Sequence, residues 1–218
     1  MYPCQVPKPV SPILRRALIE RAAELLTRRE PVTIRSLLAG TGASTMAIYT
    51  HFGGMPGLWR AVRQEGFTRL AVELAAVRVT RDPIRDVMAF GAAYLSHALA
   101  HPDLYRAMFD AHVELDDPVA ADAAFTVLVA SASRARDLGR LAAHTDPAAV
   151  ATRFWAMGHG WAMLVINGVL PPSTLADHVP PMATALLVDA GDERSRCVRS
   201  VRSGWRTFAL AGPAPPGD

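Results

Sequence analysis

Eight side chains between positions 33 and 51 share one kind of chemistry: Thr33, Arg35, Ser44, Thr45, Met46, Tyr49, Thr50 and His51. Hydroxyls, an imidazole and a guanidinium hydrogen-bond phosphate oxygens, whereas a thioether or a threonine methyl packs against the methyl of thymine. These side chains hold a sugar-phosphate backbone and touch base edges. They do not make a set that breaks covalent bonds.

Charge points the same way. Residues 1–60 carry eight basic and three acidic side chains, whereas the remaining 158 residues carry fifteen and seventeen, within a formal net charge of +3. A basic head on a nearly neutral body suits a polyanion met at one end. Among the 23 basic residues only Lys8 is lysine. That bias fits either bidentate phosphate or base recognition or general composition, since the arginines run through the whole chain.

Other constellations are weaker. His97 and His101 stand four apart on one helical face with Asp103 nearby, a spacing that suits a divalent ion, but no third ligand follows at a convincing spacing. His159 has no serine or cysteine nucleophile placed beside it, and there is no glycine-rich phosphate loop after a strand, no HExxH and no CxxC. Cys4 and Cys197 lie near opposite ends, as reduced thiols would in a cytoplasmic protein. No apolar run is long enough for a membrane span, and the start has no signal-peptide pattern. The chain reads as non-enzymatic, without cofactor or metal.

The elements that position the eight residues are helices. Four prolines in residues 1–12 mark a flexible arm. From Ile13 to Arg28, Leu14, Leu18, Ala22, Leu25 and Leu26 form an apolar stripe that Pro31 terminates. Thr33 is placed to cap a second helix carrying Ile34, Leu37 and Leu38 inward, and Gly40–Thr41–Gly42 reverses the chain. Ser44 is expected to cap a third, short helix with Ala47 and Ile48 inward and Thr45, Met46, Tyr49 and Thr50 outward. Unpaired amides at such helix starts attract phosphate. A fourth helix is expected from Pro56 to Val79, buried along Leu58, Val62, Leu70, Leu74 and Val77. Further helices follow over 83–100, 118–138, 147–167, 181–190 and 194–210, with the proline pairs at 171–172 and 180–181 bracketing a short segment, and a tail over 211–218. The charged run Glu114–Leu115–Asp116–Asp117 reads as a solvated loop. The fold class is all-α. A helix-turn-helix head spans 13–58, its fourth helix running on to about 79, and a helical-bundle body spans 80–210.

Residues 16–58 resemble the N-terminal domain of the tetracycline-repressor (TetR) family. The similarity runs through RALIERAAELL and VTIRSLLAGTGAS and is sharpest at MAIYTHFGGMPGL, with Tyr49, His51, Phe52 and Leu58 in register. The resemblance implies a homodimer on an inverted-repeat site in double-stranded DNA. It also implies a helical body that binds a small effector, and most commonly a repressor that the effector releases. It places Thr45 and Met46 at base-facing positions and Thr33, Tyr49, Thr50 and His51 at phosphate-contacting ones. Three departures stand out. Met55 occupies the position of a usual lysine, Leu38 that of a small alanine, and the link REPV at 29–32 is short and lacks its glycine.

The body, DPIRDVMAFGAAYLSHALAHPDLYRAMF followed by FWAMGHGW, resembles a TetR subfamily named for a Trp-His-Gly signature, represented here by Trp155, His159 and Gly160. Val150, Phe154, Met157, Trp161 and Leu164 recur at helical spacing, and Gly158 and Gly160 permit another backbone to approach at about 1 kcal/mol each relative to alanine. Phe154, Gly158, Val198, Val201, Trp205 and Phe208 are candidates for a dimer face built from this helix and the last. Ordinary monomer core is the competing reading. Phe90, Tyr94, Tyr105, Met108, Phe109, Met157 and Trp161 are candidates for an apolar effector pocket, and the same residue types also suit solid core. The alternative for the whole chain is a helical ligand-binding or protein-interaction module with a degenerate, weakly DNA-binding head.

Overall fold

The computed structural model describes residues 11–27, 30–109, 115 and 118–208, and every regular element among them is a helix. The proline-rich start, the tail and most of the acidic run at 114–117 lie outside the described residues, as does the side chain of Leu26. The chain divides into two units: residues 1–66 with 103–117, and residues 67–102 with 118–218.

The first unit begins with α1 (Pro12–Thr27), which buries Leu18, Ala22 and Leu25 of the expected stripe and Ile19 besides, while Leu14 is half-buried. Thr33 caps α2 (Ile34–Leu38) through a capping box in which serine replaces the usual glutamate. The Ser36 amide donates to the Thr33 hydroxyl at 3.1 Å, and the Thr33 amide donates to the Ser36 hydroxyl at 2.9 Å. Gly40 and Gly42 then take positive φ angles of 78° and 66°, a conformation that strains a side-chain-bearing residue. The helix α3 (Met46–Phe52) starts one residue later than expected. Thr45 already has helical dihedrals, so the backbone carbonyl of Ser44 closes the first turn by accepting from Ala47, and the expected Ser44 hydroxyl cap does not form.

Gly53 ends α3 in the left-handed region, and α4 (Met55–Ala75) follows at once. At Gly57 an added β-carbon would lie 1.8 Å from the Phe52 carbonyl oxygen, so only glycine lets the two helices meet at this angle. A short helix, α6 (Pro102–Met108), completes the unit. It contributes Leu104 to the core and lays Met108 against Gly66, and the Met108 carbonyl accepts from Arg63 at 2.9 Å.

In the second unit α5 (Pro83–Ala100) is central, packed by α7 (Pro118–Asp137), α8 (Pro147–Ile166) and α10 (Arg194–Trp205), with α9 (Thr174–Asp189) against α8 and α10. The closest approaches occur at glycines other than those singled out from sequence. Phe154 lies over Gly91, and Gly204 sits on the Arg85 carbonyl and Met88. Three boundaries differ from expectation. The helix α4 stops at Ala75, because the following segment turns back and its Thr80 amide and hydroxyl both donate to Asp86 at 2.8 Å. The helix α10 ends at Trp205, five residues short of the expected 210. The helix α9 continues through Pro180 and Pro181. The two prolines withhold donors from the carbonyls of Ala176 and Asp177, but those residues face solvent, while Leu175, Val179, Ala183 and Leu187 remain buried along one unbroken stripe.

A buried ionic network joins what the stripes leave loose. Arg140, in the turn after α7, donates to Asp192 at 2.9 and 2.8 Å, to Asp82 at 2.7 Å and to Ser200 at 3.0 Å. Asp82 also caps α5 and accepts from the Ser200 hydroxyl at 2.6 Å. Burial alone would raise the Asp82 carboxyl. The hydrogen bonds from Ser200 and the Arg85 amide, with the Arg140 charge, outweigh burial and hold it below the ordinary aspartate value. Asp86 behaves likewise: the Thr80 amide and hydroxyl, Arg134 and Arg85 overcome its desolvation.

Arg140→Ala would leave the carboxylate of Asp192 buried without its main partner, so chemical denaturation should show a loss of about 3–5 kcal/mol. A second prediction concerns acid. Glu193, capping α10 from solvent, has its carboxyl lowered from 4.5 to about 2 by the amides of Ser195 and Arg196. A lowered folded-state value means stabilisation that is complete above the unfolded value and lost as pH falls through the folded one. Urea midpoints should therefore decline from pH 4.5 towards about 2, and Glu193→Gln should flatten part of that decline.

Candidate nucleic-acid interface

The first unit presents one side of α3 to solvent and buries the other. Ile48 is fully buried and belongs to the same core cluster as Leu18, Ile19, Ala22, Leu25, Leu37, Leu58 and Val62, so the short helix is anchored in the core of this unit. Thr45, Met46, Tyr49 and Thr50 face outward, Met46 being 64% and Tyr49 55% exposed. Large apolar surface is seldom left this open without a partner, and here it adjoins hydroxyls, the mixture that meets base edges and phosphates. Thr33, Arg35 and Ser44 are exposed as well. His51 differs, being half-buried with its Nδ1 turned inward and without a hydrogen bond.

The departures at Met55 and Leu38 have a local explanation. Both are half-buried and pack against the core of this unit, so each exchanges a smaller or charged side chain for apolar contact beneath the turn. Arg15 is engaged within the head, its guanidinium 5.4 Å above the Phe52 ring.

The seven pocket candidates do not form one lining within either unit. Tyr105, Met108 and Phe109 belong to the first unit, where Tyr105 and Met108 are fully buried and Tyr105 tilts against Phe109 at 5.0 Å. Phe90, Tyr94, Met157 and Trp161 belong to the second. There the Trp155 indole donates to the Tyr94 hydroxyl at 3.2 Å and meets Phe125 edge-on, while Trp161 stacks on His178 at 5.5 Å and donates to the Met182 sulfur. A separate open groove of about 440 Å³ runs between α9 and α10, bounded by Pro180, Pro181, Thr184, Val198, Arg202 and Trp205. It contains none of the seven.

The dimer candidates also divide. Phe154 and Val201 are buried in their own chain. A β-carbon added at Gly158 would meet Tyr94 at an ordinary 3.8 Å, whereas Val198 is exposed and Trp205 stacks on Phe208 at 4.4 Å. The buried stripe of α8 runs through Val150, Ala151, Phe154, Ala162 and Val165, whereas Met157 and Trp161 of the helically spaced set are half-buried and Leu164 is exposed. This helix is apolar on two sides, so periodicity alone could not choose the inner one. The outer side carries Thr152, Ala156, Gly160 and Leu164 at four-residue intervals, all exposed.

One group falls outside these sites. The buried Cys197 thiol is pushed up to about 12, mainly by desolvation, which makes it a poor nucleophile. No described helix is long and apolar enough to cross a membrane.

Comparison with known proteins agrees with this architecture. The family model described as tetracyclin repressor-like, C-terminal domain, matches residues 87–190. An uncharacterised HTH-type transcriptional regulator of Mycobacterium tuberculosis is 28% identical over 162 residues, 72% of each chain. Among solved structures, a protein of unknown function from Rhodococcus sp. RHA1 shares the fold at a TM-score of 0.72 and 24% identity, over 86% of this chain and 100% of that one. RolR in complex with resorcinol shares it at a TM-score of 0.56 and 18% identity, over 87% and 93%. With a helix-turn-helix over residues 34–52 and a C-terminal domain that matches the tetracyclin repressor-like family model over residues 87–190, this chain is similar to transcriptional regulators of the tetracycline-repressor (TetR) family.

Proposed function

We propose that two copies of this chain read an inverted-repeat operator in double-stranded DNA through α3, and that the protein is a cytoplasmic repressor released by a small, largely apolar effector. The observation that carries the reading is α3 itself, buried through Ile48 and leaving Thr45, Met46, Tyr49 and Thr50 on the outside of a basic head. Thr45 and Met46 meet base edges, while Thr33, Arg35, Ser44, Tyr49, Thr50 and His51 hold phosphates. Two heads in a symmetric dimer engage successive major grooves about 34 Å apart.

The exposed Thr152–Ala156–Gly160–Leu164 side of α8, together with Val198 and Trp205 on α10, supports a dimer face built from small and apolar residues. The apolar effector is supported by the aromatic and methionine content of the body and by the binding of resorcinol to RolR, a protein of the same fold. Effector and DNA favour different states of the dimer, so each weakens the binding of the other by the same factor.

Gel-shift titration against the DNA flanking the gene tests the reading. Salt-sensitive preference for an inverted repeat is expected. No preference over random duplex at low salt would transfer the chain to the class of helical ligand-binding modules. Thr45→Ala with Met46→Ala should erase about 1–3 kcal/mol of discrimination per contacted base pair, whereas Tyr49→Phe should weaken all sequences alike. Light scattering on dilute protein should give twice the 23.4 kDa chain mass, and Gly160→Arg should shift it towards monomer.

A further inference from the structure

We propose that Glu73, His97 and His101 form a site for one divalent first-row transition ion of zinc type, which ties the last turns of α4 to the end of α5. The donor atoms of the three residues all lie within 4.8 Å of one another. His97 and His101 are four residues apart, with ring centroids separated by 5.1 Å, and Glu73 is the third donor that the local sequence does not supply.

The state of His97 makes this a site and not a chance cluster. Its side chain is fully buried, yet neither ring nitrogen has a hydrogen bond. Nδ1 stands 3.0 Å from Oε1 of Glu73, close but not aligned as a hydrogen bond. Buried imidazoles ordinarily satisfy both nitrogens. Two unsatisfied nitrogens beside a carboxylate and a second imidazole suit lone pairs converging on a common point.

The donor set selects the ion. Zinc bound by histidine and carboxylate has bonds of about 2.0–2.2 Å, so its ligand atoms stand roughly 3.3 Å apart, and a small side-chain rotation closes the present spread. Two neutral imidazoles and one carboxylate favour zinc, nickel or cobalt over calcium or magnesium, which require an oxygen cage. Arg69, one turn before Glu73, also acts electrostatically on His101. Glu73 is partly exposed and His101 half-buried, which leaves an entry from solvent and a fourth coordination position for water. The site requires neither the dimer nor DNA binding, so it stands or falls separately from the proposed function.

The test uses untagged full-length chain, stripped with chelator and titrated calorimetrically with zinc chloride. In parallel, cobalt(II) binding is followed by its visible absorption. The expected result is one ion per chain, a cobalt ligand-field band and a higher thermal midpoint with zinc. Glu73→Gln and His101→Ala should each weaken binding at least about tenfold and abolish the thermal shift with an unchanged circular dichroism spectrum. His144→Ala, an exposed histidine outside the cluster, should bind like wild type. Absence of stoichiometric binding would overturn the site and leave His97 as a buried imidazole beside Glu73. Undiminished binding in both cluster variants would place the ion elsewhere.

Discussion

A helix of seven residues does not persist alone in water, so the reading surface depends on the enclosure of one side chain, Ile48. Everything else in the first unit serves that enclosure. The stripe of α1 forms its floor, the capping box starts α2 at a defined point, and Gly40 and Gly42 permit the reversal that brings α3 across. Gly57 admits α4 directly over the last carbonyl of α3, so only two residues separate the end of α3 from the next helix. Rigidity of this kind matters to a groove-binding element, because base contacts tolerate little displacement.

The second unit solves a different problem. Its helices are rich in alanine and in apolar residues on more than one side, and shape alone specifies their partners weakly. The Arg140 network supplies direction. One guanidinium joins the start of α5, the turn before α10 and α10 itself through Asp82, Asp192 and Ser200. Buried ion pairs contribute little net stability compared with well-packed apolar residues, yet a mispaired arrangement leaves charges unsatisfied. In this unit the network excludes wrong helix arrangements, and the close contacts at Gly91 and Gly204 supply the packing.

Much of the head was legible because its determinants are local. Caps, left-handed glycines and three-to-four-residue spacing act within one helical turn, and they identified α1, the Thr33 cap, the turn and the outward set on α3. The start of α3 nevertheless carries no side-chain cap, because hydroxyl placement depends on dihedral angles that residue type does not decide. Pro180 and Pro181 were read as a boundary because a proline removes a hydrogen bond. The buried stripe of α9 and water at the exposed carbonyls outweighed that loss. On α8 both available stripes met the helical period, and only the neighbours α5 and α7 determined which would be inside.

By itself the amino-acid sequence determined an all-helical chain, a basic head with a short third helix, and the residues that this helix leaves exposed. Tertiary structure alone decided which side of α8 is left exposed, which carboxylates meet Arg140, and that Glu73 lies beside His97 and His101. The reason is range. Local rules couple residues three or four apart, whereas Arg140 reaches partners 58 and 52 positions away, and pairings at that distance are chosen by packing of the whole unit.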